Sequence, residues 1–520
     1  MDGISSHFTW IDWAIIIGYL ALTTWVGHCL KGKQATIKDF FMAGRSLPWQ
    51  AVTGSIIATE ISALTFVGVP GMIYAANGDL TYLQWAIGSI AARFIVGIYF
   101  VKRFYQHDIY SPYDYMAQRL GGGIKLLTTG MFFLGSILGQ SVRLLVTAIV
   151  LRTVTGMDYH LCIIAIGVVA VIWTWMGGMT TVIWTDVMQF GIFIFSGLLA
   201  LIWMLSDLDG GWRSMWETAS EAGKLRILNL STDPTVEFTL WVGLLAMPFQ
   251  NLAAFGTDQL NAQRMFCCRS AADARKAIIF SSFSQVVTIL MLFVGLCLFA
   301  YYGQHPPDDV TRSIFVKDPD FVFPIWITTV LPTGLSGLVL AGAFAAAISS
   351  LDSILAALSQ TTLALRKKSS LPEDSKKLIF ESKALVLFWA VALCLSAMAL
   401  NHLRGDINMV NLAFGMVSYT YGPMLGIFLL ALSPLRPRLG GIILGTVLAI
   451  LTTLYVRPDI YTILKNMEWI TPETATNWKP HLSYAWLYPI TTIITFGCGL
   501  LTTILFPVRP PVPVPVDLKK

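Results

Sequence analysis

Long apolar runs separated by short polar segments recur along the whole chain. Thirteen of them approach or exceed the about 20 apolar residues that a bilayer-crossing helix needs. They lie near 11–30, 49–70, 79–101, 127–151, 159–176, 181–205, 237–257, 277–302, 323–365, 380–400, 408–433, 439–456 and 484–506. The ninth is longer than one crossing and predicts an added interfacial segment before Pro332. No gap exceeds roughly thirty residues, too little for a separate soluble domain. The pattern predicts an all-α integral membrane protein of thirteen transmembrane helices.

Composition agrees. The chain is 55% hydrophobic and 12% charged, with mean hydropathy +0.66, about half the charge of a soluble domain. Basic residues concentrate in cytoplasmic loops of membrane proteins. With the N-terminus outside, 23 of the 35 Lys and Arg fall in inward segments, 10 in outward ones, and Arg93 and Arg143 within spans. The bias predicts N-out, C-in topology in a cell membrane and attributes the net charge of +5 to topology, not to a nucleic-acid surface. The first run has an acidic start and no small-residue cleavage site, which predicts an uncleaved anchor. Cysteines at 29, 162, 267, 268, 297, 394 and 498 lie in spans or inward loops and have neither disulfide nor metal-site spacing. Asn229-Leu-Ser231 is a formal glycosylation sequon in an outward loop. The tail from 507 is Pro-rich and reads as extended.

Ionisable groups inside a membrane are costly and therefore candidate functional residues. Five stand out: Glu60, Arg93, Arg143, Asp186 and Asp352. For Arg93, snorkelling or a structural ion pair is the expected role. Ser349, Asp352 and Ser353 share one helical face, and Ser350 borders it. Such an oxygen-rich patch suits a hard cation such as Na⁺, whereas serines alone more often bond back to the preceding turn. In the second run, ATEISALT places Thr59, Glu60, Ser62 and Thr65 ahead of Gly68, Pro70 and Gly71. A span interrupted in this way predicts a broken helix whose freed carbonyls bind a cation. The seventh run, MPFQNLAAFGTDQLNAQR, is interrupted too. The two lie five spans apart, as a five-plus-five inverted repeat requires once the first span is set aside.

These residues carry a resemblance. The stretches DFFMAGRSLPWQAVTGSIIATEIS (39–62), TWMGGMTTVIWTDVMQ (174–189), GTDQLNAQRMFCCRSAADARKA (256–277) and AAAISSLDS (345–353) resemble the sodium:solute symporter family, with its sodium–glucose, sodium–sialate and sodium–proline carriers. The resemblance implies a LeuT-type inverted-repeat core with one extra N-terminal span and two extra C-terminal spans. On this chain that gives an N-terminal span and inner loop at 1–48, repeats at 49–205 and 206–433, two further spans at 434–506 and a cytoplasmic tail at 507–520. It implies a Na⁺ site from the carbonyls of Ala58, Ile61 and Ala346 and the hydroxyls of Ser349 and Ser350. A second site, present in some members, would use Asp186 with positions 352 and 353. Here those are Asp352 and Ser353, with an acid where relatives tend to carry Ser or Thr. Two carboxylates in one site require two positive charges, a cation plus a proton, or a nearby Arg; Asp352 therefore strengthens a cation site, carries a proton, or pairs with a base.

By motif position the solute is expected to meet Glu60, Ser62, Thr65, Gln84, Asn251 and Phe255, the last as an aromatic lid or as ordinary packing. Arg143 either grips a solute carboxylate with its planar fork or forms an internal ion pair with Glu60. The pattern of the sugar carriers is only partly met: Gln84, Gln285 and Ala254 stand where an acid, a lysine and a tyrosine are expected. The reading is a sodium-coupled symporter that imports a small polar solute, such as a sugar, a sialate-like acid or another organic acid. Its alternatives are a proton-coupled transporter and a transporter-fold sensor. An enzyme is disfavoured, since the seven histidines map to loops or span ends and none shares a face with another His or Cys. A channel would need a filter loop, which the sequence lacks.

Overall fold

The computed structural model describes residues 8–30, 42–107, 109, 111–176, 178–366, 375–403, 409–466, 468–471, 473–474 and 480–506. The 31–41 segment, the basic loop 367–374 and the Pro-rich tail from 507 lie outside them. Among the described residues there is no strand, only an isolated bridge between Leu47 and Cys268. The helices are α1 (Trp10–Cys29), α2 (Trp49–Glu60), α3 (Leu64–Tyr74), α4 (Leu80–Gln106), α5 (Pro112–Leu120), α6 (Gly122–Thr155), α7 (Tyr159–Met176) and α8 (Met179–Asp207). After them come α9 (Gly211–Glu221), α10 (Val242–Gly256), α11 (Gln259–Phe266), α12 (Ala271–Gln304), α13 (Asp309–Lys317), α14 (Val322–Thr329) and α15 (Leu335–Arg366). The chain closes with α16 (Ser375–Leu403), α17 (Met409–Leu432), α18 (Leu439–Val456), α19 (Pro458–Asn466) and α20 (Leu487–Leu505).

Ten helices among the described residues are long and apolar enough to cross a membrane, and α2 with α3 makes a further, bent crossing; α7 and α10 are apolar but shorter. The ninth apolar run resolves into the short α14, a turn at Pro332 and the continuous α15.

Both expected interruptions occur. At the first, Ile61 leaves helical geometry (φ −75°, ψ 113°), and α3 departs at 58° to α2. At the second, α10 ends at Gly256, and the Asp258 side chain caps α11 by accepting from the Leu260 amide at 2.9 Å. Small residues bring the second broken crossing close to α4. α4 and α10 meet at Gly88 and Gly243, where an added Cβ would lie 2.5 Å from the Gly243 carbonyl oxygen or 2.3 Å from that of Gln84, so only glycine permits the approach.

α1 is tied to the core at its N-terminal end. Asp12 closes a capping box with Thr9, and its other oxygen accepts from the Gly334 and Gly337 amides at 2.7 and 2.8 Å. One carboxylate thus satisfies orphan amides at the starts of two helices. Lys224, one of the ten basic residues that the predicted topology places in outward segments, is buried. Its ammonium donates to the carbonyls of Ile73, Ala75 and Gly78 at 2.8, 2.7 and 3.1 Å, closing the end of α3.

Candidate functional site

The end of α2 leaves carbonyls without helical partners, and α15 supplies them. Ser349 Oγ donates to Ala58 O at 3.0 Å and lies 3.2 Å from Ala346 O. Ser350 Oγ lies 3.3 Å from both Thr59 O and Ala346 O. The bonding back to Ala346 expected of membrane serines is therefore present, but each hydroxyl also crosses to α2. Ala58, Ala346, Ser349 and Ser350 form one oxygen-only cluster at the break, and Ile61 is the residue at which the helix opens. A set of neutral hard oxygens with no thiol or imidazole fits Na⁺.

Beside the break lies a cavity of about 170 Å³, room for a small solute. Its walls include Glu60, Ser62, Thr65, Arg143, Asn251 and Phe255. Glu60 pairs with Arg93, not with Arg143, which corrects the internal pair considered above. The reason is geometric: Arg93 projects from α4 onto the break, while Arg143 reaches Thr59 O at 2.9 Å and Ser350 Oγ at 3.5 Å. Among the described residues no carboxylate lies within ion-pairing distance of Arg143. The Arg93 guanidinium also covers the Phe255 ring, 4.3 Å from its centroid, so this Phe is held by a cation–π contact.

Gln84 does not join them. Its amide donates to Thr81 O and Phe238 O, both at 3.2 Å, and accepts from the Asn229 amide at 3.1 Å. With these bonds filled it is held among Thr81, Asn229 and Phe238 and is not among the residues that line the cavity. Asn251 lines the cavity while donating to Met247 O at 2.9 Å.

One turn toward the C-terminus of α15 the chemistry changes from neutral to charged. Asp186 Oδ2 accepts from Ser55 Oγ at 2.5 Å and from Arg264 Nη2 at 3.1 Å. Arg264 Nε donates to Ser55 Oγ at 2.9 Å, Nη1 to Leu260 O at 2.7 Å, and Nη2 also to Ser353 Oγ. Ser353 Oγ in turn donates to Asp352 Oδ1 at 3.2 Å. The base that two carboxylates called for is thus Arg264. The predicted topology places it among the 23 basic residues of inward segments, but α11 buries it to 1% side-chain exposure, because the turn at Asp258 folds the α11 segment back under the break.

Arg264, Ser55 and Tyr421 escaped the sequence reading. Arg264 lies in a stretch that reads as loop when polar residues are counted, and the only sequence signal for it is the unmet charge of Asp186 and Asp352. Tyr421 donates to Asp258 Oδ2 at 2.7 Å, a pairing between residues 163 positions apart that no local pattern announces.

Known proteins carry the same architecture. A family model described as "Sodium:solute symporter family" matches residues 40–448. The chain is 28% identical over 459 residues to the sodium/sialic acid symporter SiaT of Proteus mirabilis, covering 86% of this chain and 90% of that protein. It is 29% identical over 452 residues to human sodium-coupled monocarboxylate transporter 1, covering 85% and 72%. Among solved structures, a substrate-bound, outward-open Na⁺-coupled sialic acid symporter superposes with TM-score 0.80 at 25% identity, over 95% of this chain and 98% of that one.

Proposed function

The chain belongs to the sodium:solute symporter family, and we propose that the solute it carries is a small organic anion held by Arg143. It is a sodium-coupled, multi-pass membrane transporter; the family consists of transporters, and in this reading no covalent bond changes. Arg143 carries the proposal: a part-buried guanidinium facing the cavity, with no carboxylate in ion-pair contact among the described residues. The Proteus and human relatives are named for sialic acid and for monocarboxylates, which share the carboxylate such a fork binds. Ser62, Thr65, Glu60 and Asn251 would meet the rest of the solute, with Phe255 closing over it.

The first Na⁺ would be held by Ala58, Ile61, Ala346, Ser349 and Ser350, and a second cation or a proton by Asp186, Asp352 and Ser353. Na⁺ supplies the electrochemical driving force. Because Arg143 touches Thr59 and Ser350, the anion and the first Na⁺ meet at one guanidinium, which couples their occupancy. The supporting frame is thirteen crossings, N-out and C-in, with inverted repeats at 49–205 and 206–433. Two breaks five crossings apart favour that division.

Energetics make the second ion decisive. One Na⁺ with a monoanion moves no net charge, so a tenfold gradient supports only about tenfold accumulation. Two Na⁺ with the anion move one charge; at 100 mV this releases about 5 kcal/mol in total, enough for several-thousand-fold accumulation.

The test is Na⁺-dependent thermal stabilisation of the purified protein followed by uptake into proteoliposomes. A ligand that binds only the folded form raises its stability. Na⁺ but not K⁺ is expected to stabilise the wild type, and Ser350→Ala to lose most of that effect. Addition of sialate-like and short-chain carboxylates should stabilise it further, and Arg143→Gln should remove that increment. If Na⁺ and K⁺ behave alike, proton coupling or sensing replaces this reading; if sugars stabilise and acids do not, the anion assignment falls.

A further inference from the structure

Two amide side chains in the cavity wall have spare oxygens. Gln140 lies one turn before Arg143 on the same face of α6, and Asn261 lies on α11, one turn past Asp258. Both line the cavity and are buried, at 8% and 9% exposure. Yet Gln140 Oε1 and Asn261 Oδ1 receive no hydrogen bond. The Asn261 amide is fixed in this orientation, because its Nδ2 donates to Ala254 O across the break at 2.9 Å. α17 joins the two walls. A Cβ added at Gly139 would lie 2.6 Å from Val417, and one turn further along α17 Tyr421 donates to Asp258 Oδ2 at 2.7 Å. Buried acceptors are normally paired, and each exception asks for a partner. Here both exceptions border the cavity that Arg143 faces.

We infer that Gln140 and Asn261 form an acceptor subsite for hydrogen-bond donors on the carried anion, so that the solute is a hydroxylated acid and not an unsubstituted one. Charge sets the kind of donor. Both amides are neutral, and Glu60, the one acid among the described residues of the cavity wall, is already held by Arg93. No carboxylate is left to balance an ammonium group, so the matching donors are neutral, as hydroxyls are. Helix geometry sets their place on the solute. Arg143 takes the carboxylate, and Gln140, a helical neighbour about 5–6 Å away at the Cβ atoms, meets a hydroxyl on the carbons next to it. Selection follows from the alternative. An unsubstituted chain would press methylenes against two buried oxygens and leave both unpaired, whereas a hydroxyl satisfies each.

This inference rests on the anion reading and is tested apart from it. Thermal stabilisation of the purified full chain in Na⁺ is titrated with pairs of acids that differ only in their hydroxyls: glycerate with propionate, and gluconate with hexanoate. The hydroxylated member of at least one pair should bind about tenfold more tightly. Gln140→Met and Asn261→Leu keep side-chain bulk and remove the oxygens. Each should erase most of that preference, with the unsubstituted acid binding as before or better. A variant that merely folds poorly weakens both members of a pair and leaves their ratio unchanged. Equal binding within both pairs overturns the subsite and leaves the anion reading standing. A preference that survives in both variants takes Gln140 and Asn261 out of the site. Stabilisation by neutral glucitol as strong as that by gluconate brings down the anion reading itself, as does the absence of any response to all four acids.

Discussion

Two arginine–carboxylate pairs flank the broken helix α2, and they differ in what lies behind the carboxylate. Glu60, paired with Arg93, keeps 27% of its side chain exposed and lines the cavity; Asp186, paired with Arg264, keeps none. An ion pair with one wet side can relax into water when a solute or a mutation disturbs it. A sealed pair cannot, and removing one partner strands a charge in low dielectric. The cavity-facing pair is therefore suited to solute recognition, and the sealed one to holding a fixed field around bound cations.

Breaking the sealed pair should have the largest effect. Arg264→Met is expected to cost about 3–5 kcal/mol of stability in detergent unfolding. The double variant with Asp186→Asn should recover much of that loss, as neighbours in one network do. A cost no larger than that of the cavity-facing pair would erase the distinction.

Arg93→Gln should cost less, about 1–2 kcal/mol, because cavity water rehydrates Glu60. Its stronger effect should be on uptake, which reads out Glu60 and the Phe255 ring that Arg93 covers. Arg143→Lys should weaken solute binding by about tenfold, or ~1.4 kcal/mol, since a point charge replaces a fork. Na⁺-induced stabilisation should survive, which separates solute recognition from the first cation site.

The smallest effect lies outside the membrane, at Lys224. Burial pushes its ammonium down to about 8, against about 10.4 in an unfolded chain. Between those values the unfolded state binds more protons, so this group makes stability rise with pH. Melting of wild type and Lys224→Met at pH 7.5 and pH 10 should show the wild type gaining on the variant as pH rises.

Much of this was legible beforehand. The apolar runs anticipate the crossings, and the Gly/Pro interruption at 60–71 anticipates the bend, because a helix in lipid can open only where protein satisfies its backbone. The pairing of SS at 349–350 with the break follows the family resemblance, not local pattern. Glu60 announced itself as an intramembrane acid, yet its partner did not: the sequence reading offered Arg143 for that pair and gave Arg93 to snorkelling or an unspecified structural pair, and only the crossing of α4 over the break selects Arg93. Gln84 was misplaced for a related reason, since an amide's role depends on which loop folds over it.

Period and composition are properties of a few consecutive residues, and they alone determined that this chain is helical, membrane-embedded and interrupted at two points. Charge partnership is decided by side chains that meet across separations such as the 78 positions between Asp186 and Arg264. A buried charge must find its counter-charge somewhere, so the sequence could state the need; only the tertiary packing of α2, α8, α11 and α15 chose Arg264 to answer it.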